Sequence, residues 1–172
     1  HLSELLQSLS KLQDTTLIFT SPNMDNGGRE ILDVLNEFVS THSNAYIFNS
    51  MGQLKYLSCM AQVDAVVGNS SSGIAEAPSF HKGTVNIGIR QEGRLMATSI
   101  INCEPNTESI DQAIRHLYTE EFQMALKSSK NPYGSGGASE EIVLKLKEVN
   151  FHNIILKDFY DLGLHSEMMR NE

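Results

Sequence analysis

The sequence has little cysteine, no long apolar segment and fewer basic than acidic residues, and each of these features excludes a class of protein. The chain has only two cysteines, Cys59 and Cys103, among 172 residues, too few for the disulfide framework of a small secreted domain. Its apolar stretches are only as long as short strands, so no segment is predicted to span a membrane. Basic residues number 13 against 21 acidic ones, a net charge of −8 that argues against a broad nucleic-acid surface. We therefore expect a globular cytoplasmic protein with neither a membrane nor a nucleic-acid partner.

The chain also lacks the side-chain groupings that most enzymes use for chemistry. None of its six histidines stands at zinc-like spacing from cysteines or carboxylates, so no metal site is predicted. No close pair of carboxylates suits acid–base catalysis, and the serines beside glycines have no neighbouring base to activate them. We therefore assign no catalytic residue to this chain and interpret it as a binding half.

Alternating helical and strand-like apolar patterns organise the sequence and are typical of βαβ units around a parallel sheet. Buried strands are predicted at 15–20, 45–48, 64–67, 84–87 and 99–103. Amphipathic helices are predicted at about 2–12, 29–40, 53–62, 107–118, 120–127 and 138–149. We expect an α/β fold: a Rossmann-like parallel sheet with helices on both faces over residues 1–150. A less regular tail at 151–172 is expected to pack on this domain or on another one.

The segment GNSSSG, residues 68–73, follows the third strand and is the strongest candidate for a binding site. We interpret residues 74–77 as the first turn of a helix, whose free N–H groups and dipole would attract an anion. The serine hydroxyls add donors, and Gly68 and Gly73 let a ligand approach the backbone closely. This pattern predicts diphosphate binding, with Glu76 placed to accept from ribose hydroxyls.

The same loop has a plain alternative, because strand–loop–helix connections occur throughout α/β proteins without a ligand. It contains neither the GxGxxG fingerprint nor the GxxxxGK[ST] phosphate loop. Three further polar, glycine-bearing loops follow predicted strands, at 23–28, 48–52 and 88–94. Since the carboxyl ends of parallel strands meet at one edge of a sheet, this coincidence favours a ligand at that edge.

Two more polar segments have both a binding and a structural interpretation. Arg90 and Arg94 flank the segment after the fourth strand, where a guanidinium would fork onto a phosphate or a uracil-type carbonyl. The alternative is a solvated pair of loop residues. The NPYG segment, residues 131–134, would form a second loop facing the same ligand, or would simply link two helices.

Two segments carry a resemblance to a known family: GNSSSGIAEAPSF at 68–80 and TVNIGIRQEGR at 84–94. They resemble the C-terminal domain of hydrolysing UDP-N-acetylglucosamine 2-epimerases. These enzymes supply N-acetylmannosamine for sialic acid synthesis. Residues 20–23 resemble that family's nucleotide-side Pro-Asn loop, 131–134 its NPYG loop, and KDFYD at 157–161 its closing segment. Non-hydrolysing relatives typically carry Asp-Ser-Gly-Gly in the serine loop, so the triple serine here favours the hydrolysing branch.

The resemblance implies the C-terminal half of a glycosyltransferase-B-like two-domain fold, with a UDP-sugar held in the cleft between the halves. It implies a set of UDP-binding residues: Asn23, Met51 (through its backbone), Ser70, Ser71, Gly73, Glu76 and Arg90. In this set the two serines bind the diphosphate, the glycine permits close approach and the glutamate holds the ribose. A possible substrate loop consists of Asn131, Tyr133 and Gly134.

The implied reaction is anti elimination of UDP to give a 2-acetamidoglucal, followed by addition of water to give N-acetylmannosamine, without a metal or a nicotinamide cofactor. The family's catalytic carboxylates and histidine lie in the N-terminal domain. We therefore expect these 172 residues to bind UDP weakly and to need that domain as a partner for turnover.

Family members are commonly dimers or tetramers, so a homo-oligomer is also expected. The alternatives are a UDP-N,N′-diacetylbacillosamine 2-epimerase, a glycosyltransferase of the same fold, and a non-catalytic nucleotide sensor.

Overall fold

Five short strands and seven α-helices alternate along residues 1–22 and 27–152, the part of the chain that the computed structural model describes. Strands β1–β5 are Leu17–Thr20, Ala45–Phe48, Ala65–Gly68, Gly83–Ile87 and Ile100–Cys103. Helices α1–α7 are Leu2–Leu9, Gly28–Thr41, Gly52–Gln62, Ser72–Ala75, Thr107–Leu117, Glu120–Ser128 and Ala138–Glu148. A 3₁₀ helix at Ala77–Phe80 follows α4. The predicted α/β class is confirmed.

All strand pairings are parallel, as the alternating pattern predicts, but the strands form two groups. Strand β1 pairs with β2, and β4 lies between β3 and β5. The sequence predicted one sheet. Apolar patterning identifies which segments are strands, whereas the crossover helices decide which strands come within hydrogen-bonding distance. In the second group Gly68, Asn86 and Asn102 lie in register, so the carboxyl ends of β3, β4 and β5 form one edge.

The core of the first compact unit, His1–Ser135, joins both groups of strands. Every residue of β4 is buried, because β3 and β5 flank it and α5 packs against it. Val85 of β4 and Ile110 of α5 are fully buried, and Leu17 and Ala45 of the first group belong to the same cluster. Burying a side chain of this size stabilises the fold by about 1.5–3 kcal/mol. This packing fixes the edge from which the polar loops extend.

Helices α1 and α5 are joined by polar contacts that we call the α1–α5 seam. The Glu4 carboxylate accepts a hydrogen bond from the Thr107 backbone N–H at 3.0 Å and another from the Thr107 hydroxyl. These bonds lower the pKa of Glu4. Lys11 Nζ lies 2.6 Å from Asp111 Oδ2 and lowers the pKa of that carboxyl. The seam links two segments that are about a hundred residues apart in the chain.

The second compact unit, Gly136–Glu172, begins before the predicted domain boundary at residue 150, which stays a prediction. The predicted tail at 151–172 lies, beyond residue 152, outside the described residues, and so does its predicted packing. Within the described ranges, no helix combines the length and the apolar character needed to cross a membrane.

Candidate functional site

The segment 68–73, which runs from the last residue of β3 to the second residue of α4, is called the serine loop. It begins at Gly68, whose φ of 145° lies outside the range that other residues adopt easily. Ser70 is exposed, and its Oγ accepts only a long hydrogen bond, 3.4 Å, from the Ser72 N–H. The Ser71 hydroxyl, half-buried, has no hydrogen-bond partner among the described residues. Two hydroxyls of the loop are therefore available to a ligand.

The helix predicted after the serine loop is much shorter than expected. Helix α4 covers only Ser72–Ala75, and the chain then enters the 3₁₀ helix, which contains Pro78. Proline has no N–H to donate into a continuing helix. The expectation of a helix dipole acting on an anion is therefore wrong, because one turn aligns too few peptide groups. Glu76 lies at the C-terminal cap of α4, one turn beyond the serine loop.

A hydrogen-bonded chain holds Glu76 against the loop. The Ser72 hydroxyl donates to Oε2 of Glu76, and the Tyr56 hydroxyl lies 2.7 Å from the same Ser72 oxygen. Tyr56 belongs to α3, whose N-terminal cap is Met51. The structure thus brings the predicted residue Glu76 to the serine loop and adds Tyr56, which the sequence did not single out. Met51 is half-buried and directly precedes the helix that contains Tyr56.

The loop after β4 also contacts the serine loop. Arg90 Nη1 and Gln91 Nε2 both donate to the backbone carbonyl of Asn69, at 2.8 and 2.7 Å. A carbonyl oxygen has two lone pairs and accepts both bonds. Arg90 is exposed, whereas Gln91 is only 2% exposed and its Oε1 lacks a partner within the described residues. The predicted residue Arg90 is therefore beside the serine loop, held there together with a buried neighbour.

Gly73 packs against β4. A Cβ at this position would lie 2.7 Å from Cγ2 of Thr84, closer than side chains tolerate. The Thr84 hydroxyl also donates to the Gly73 carbonyl at 2.8 Å. Close packing of the loop on β4 accounts for the glycine, and its predicted role in ligand approach stays a prediction.

The predicted substrate loop, residues 131–134, lies against the same region of the first unit. Asn131 Nδ2 donates to the Ala75 carbonyl at 2.8 Å and to Ser79 Oγ at 2.6 Å. The Tyr133 hydroxyl donates to the Leu95 carbonyl at 3.0 Å. These bonds tie the loop to the segments that follow the serine loop and β4, so it is more than a connection between helices. The Asn131 amide is committed to these contacts, while Gly134 closes the turn with a φ of 112°.

The structure does not describe one predicted site residue, and it adds three residues that the sequence analysis did not single out. Asn23 lies outside the described residues. Tyr56, Thr84 and Gln91 support the site through contacts with residues 11 to 22 positions away, and no local pattern announces such contacts. Within the residues that the structure describes, no group of three or more His, Cys, Asp or Glu side chains gathers as metal ligands would.

A family model described as UDP-N-acetylglucosamine 2-epimerase matches residues 1–147. The chain belongs to this epimerase family. A relative from Campylobacter jejuni, "GDP/UDP-N,N'-diacetylbacillosamine 2-epimerase (hydrolyzing)", is 42% identical over 92% of this chain and 41% of its own length. The Legionella pneumophila "UDP-N,N'-diacetylbacillosamine 2-epimerase (hydrolyzing)" is 34% identical over 81% of this chain and 36% of its length. The resemblance stated from the sequence is confirmed.

Solved structures show the same fold. The Staphylococcus aureus MnaA–UDP co-structure superposes with a TM-score of 0.70 at 20% identity, covering 94% of this chain and 44% of that one. The Neisseria meningitidis UDP-GlcNAc 2-epimerase bound to UDP-GlcNAc gives a TM-score of 0.56 at 17% identity, covering 86% of this chain and 48% of that one. The chain spans about two fifths of the length of the curated relatives it matches. Its fold is thus one half of the glycosyltransferase-B type.

Proposed function

We propose that this chain is the UDP-binding half of a hydrolysing UDP-sugar 2-epimerase and that the serine loop holds the nucleotide. One observation carries the proposal. The structure brings together three residues that the sequence indicated as UDP contacts: Ser71, Glu76 and Arg90. Glu76 bonds to Ser72 and Arg90 bonds to Asn69, on either side of Ser71 in the chain, although 19 positions separate residues 71 and 90. Membership of the epimerase family and the UDP in a neighbouring structure support the same ligand.

The diphosphate and the ribose of UDP each have a chemically suited partner in this arrangement. The Ser70 and Ser71 hydroxyls are donors for diphosphate oxygens, and the Arg90 guanidinium adds a positive charge that binds phosphate in a fork. The exposed Glu76 carboxylate accepts from the ribose hydroxyls. Hydrogen bonds to charged groups contribute roughly 1.5–3 kcal/mol each, so this set gives selectivity for a ribonucleoside diphosphate without a metal.

In the proposed reaction the diphosphate is part of the leaving group as well as a group that the protein binds. When the bond between the sugar C1 and the phosphate oxygen breaks, the electron pair stays on UDP and negative charge builds on the β-phosphate. Donors fixed at that phosphate stabilise the transition state more than the ground state. Loss of the C2 proton to a base of the N-terminal domain leaves a C1–C2 double bond, which makes the product a 2-acetamidoglucal. Water then adds across that double bond and releases the free 2-epimeric sugar. In this proposal the proton transfers belong to the N-terminal domain, so the chain alone is inactive.

The first candidate substrate is UDP-N-acetylglucosamine, giving N-acetylmannosamine and a place in sialic acid synthesis. UDP-N,N′-diacetylbacillosamine is the second, favoured by the names of the Campylobacter and Legionella relatives. Purified full-length protein supplied with each sugar decides between them, because only the true substrate releases UDP rapidly. Free sugar formed without an added acceptor excludes a glycosyltransferase.

Low cysteine content supports a cytoplasmic location, and a homo-oligomer stays a prediction.

Calorimetric titration with UDP tests the binding claim. The 172-residue chain should bind UDP with a Kd near millimolar, about −4 kcal/mol. Ser71→Ala and Glu76→Ala should each weaken it at least about fivefold, since each removes a polar contact. Ser128→Ala and Glu121→Ala are matched controls on the exposed surface of α6 and should bind as the original chain does. Full-strength binding by both site variants, or no binding by the unmodified chain, would contradict the proposal.

A further inference from the structure

The three consecutive serines of the serine loop have different surroundings. Ser70 and Ser71 keep hydroxyls available to a ligand, but the Ser72 hydroxyl is engaged on both sides, by Tyr56 and by Glu76. An ionised carboxylate only accepts hydrogen bonds, and a serine hydroxyl has one proton. Ser72 therefore donates its proton to Glu76, and Tyr56 must be the donor to Ser72. The chain of bonds has one direction, from the tyrosine to the carboxylate.

We propose that Tyr56 and Ser72 are positioning residues that orient the Glu76 carboxylate and thereby set selectivity for the ribose. The proposal rests on the proposed function, since it deepens the role of the same nucleotide site. Glu76 is exposed, and without support its long side chain would sample many rotamers. The bond from Ser72 occupies Oε2 and leaves Oε1 to accept from the ribose.

We call the hydrogen-bonded series Tyr56–Ser72–Glu76 the relay, and the burial of its members fits this role. Tyr56 and Ser72 are half-buried, whereas Glu76 is exposed, so the support lies beneath the group that would meet the ligand. Tyr56 projects from α3, an element separate from the serine loop, and its hydroxyl thus fixes the carboxylate relative to a second helix. Holding a polar group in its binding geometry before the ligand arrives lowers the entropy lost on binding.

Ribose selectivity is the readout that separates positioning from a general structural role. The ratio of Kd for 2′,3′-dideoxyuridine diphosphate to Kd for UDP measures the hydroxyl contacts alone, because both ligands carry the same base and diphosphate. In the unmodified chain this ratio should be about tenfold. Tyr56→Phe and Ser72→Ala should reduce it to about threefold by weakening UDP binding, with the Kd of the dideoxy ligand unchanged. Tyr118→Phe, an exposed tyrosine at the end of α5, is the matched control.

A double variant checks that the effect passes through the carboxylate. In a Glu76→Ala background the ratio should fall to about one, and adding Tyr56→Phe should change it no further. Thermal unfolding of each variant establishes that it is folded at the titration temperature. Ser72→Ala tests the same chain of bonds if Tyr56→Phe does not fold.

The outcomes separate this proposal from the one it rests on. Absence of UDP binding, or a ratio near one in the unmodified chain, overturns the nucleotide site and the relay together. A tenfold ratio that survives both Tyr56→Phe and Ser72→Ala overturns the relay and leaves the site standing. Equal weakening of both ligands by these variants assigns Tyr56 and Ser72 a purely structural role and also overturns the relay.

Discussion

Among the residues that the structure describes, two carboxylates accept a hydrogen bond from a neighbouring hydroxyl, and the two pairs have different roles. In the α1–α5 seam Glu4 accepts from the hydroxyl and the N–H of Thr107, the first residue of α5. It thereby satisfies an N–H that has no partner within its helix. At the serine loop Glu76 accepts from Ser72 but stays exposed, with Oε1 unpaired among the described residues. The first pair closes the fold, and the second leaves an acceptor facing solvent.

The surroundings of the two pairs differ in the same way. Within the seam, polar side chains meet partners from the facing helix, as Lys11 meets Asp111. At the serine loop, besides the bonds among Tyr56, Ser72 and Glu76, two side chains bind the backbone: Arg90 and Gln91 both donate to the Asn69 carbonyl. Such bonds fix the path of the loop without consuming the outward hydroxyls and charges. A network that stabilises the backbone and spares its outward groups is what a preformed ligand site requires.

The largest expected effect is that of Gly73→Ala, which disturbs the serine loop from beneath. The new Cβ would meet Thr84 Cγ2 at 2.7 Å inside a buried contact, so the free energy of unfolding should fall by about 2 kcal/mol. UDP affinity should fall as well, because the loop must shift. Urea unfolding and calorimetry measure the two losses.

Thr84→Ser supplies the control for that clash. It removes Cγ2 but keeps the hydroxyl that donates to the Gly73 carbonyl. Combined with Gly73→Ala, it should recover much of the lost stability. A double variant no more stable than Gly73→Ala alone would show that the methyl contact is not the cause.

Arg90→Ala should affect binding and leave stability nearly unchanged. The residue is exposed, so its loss costs little folding energy, but it removes the positive charge proposed to bind the diphosphate. We expect about a tenfold weaker Kd for UDP, and a smaller effect of added salt on the remaining affinity. Arg115→Ala on α5 is the matched exposed control, and an equal loss of affinity there would refute a specific role for Arg90.

Asp111→Asn should have the smallest effect, on stability alone. The pKa of Asp111 is lowered by Lys11, so the pair stabilises the fold above the unfolded-state pKa of 3.8. That stability disappears as the pH falls through the lower folded-state pKa. Since the Lys11 side chain is half exposed and solvent screens its charge, the loss at pH 7 should be at most about 0.5 kcal/mol. Urea midpoints at pH 7 and pH 3 should differ less in the variant, and any change in UDP affinity would contradict the division between seam and site.

The sequence predicted the elements well because their signals are local. Apolar runs placed β2 at the same four residues, 45–48, and placed the other strands within about two residues. The predicted polar loops after β3 and β4 do meet, through the bonds of Arg90 and Gln91 to Asn69, and a ligand at that edge stays a prediction. Pro78 was a local signal that the helix after the serine loop is short, and it was overlooked.

The supporting contacts of the site could not be predicted in the same way. Tyr56 lies 16 positions from Ser72, and Gln91 lies 22 positions from Asn69. Each contact depends on how α3 and the loop after β4 are oriented, which periodicity does not encode. Which strands pair, β1 with β2 and β4 with β3 and β5, was likewise not predictable from periodicity.

Mapping UDP binding by NMR tests the central claim most directly. Amide resonances of the ¹⁵N-labelled chain are followed while UDP is added, and the serine loop is compared with the α1–α5 seam. We predict saturable shifts for residues 69–73, 76 and 90, with α5 residues 107–117 unmoved. Shifts confined to other segments, or none at saturating UDP, would contradict a nucleotide site at the serine loop.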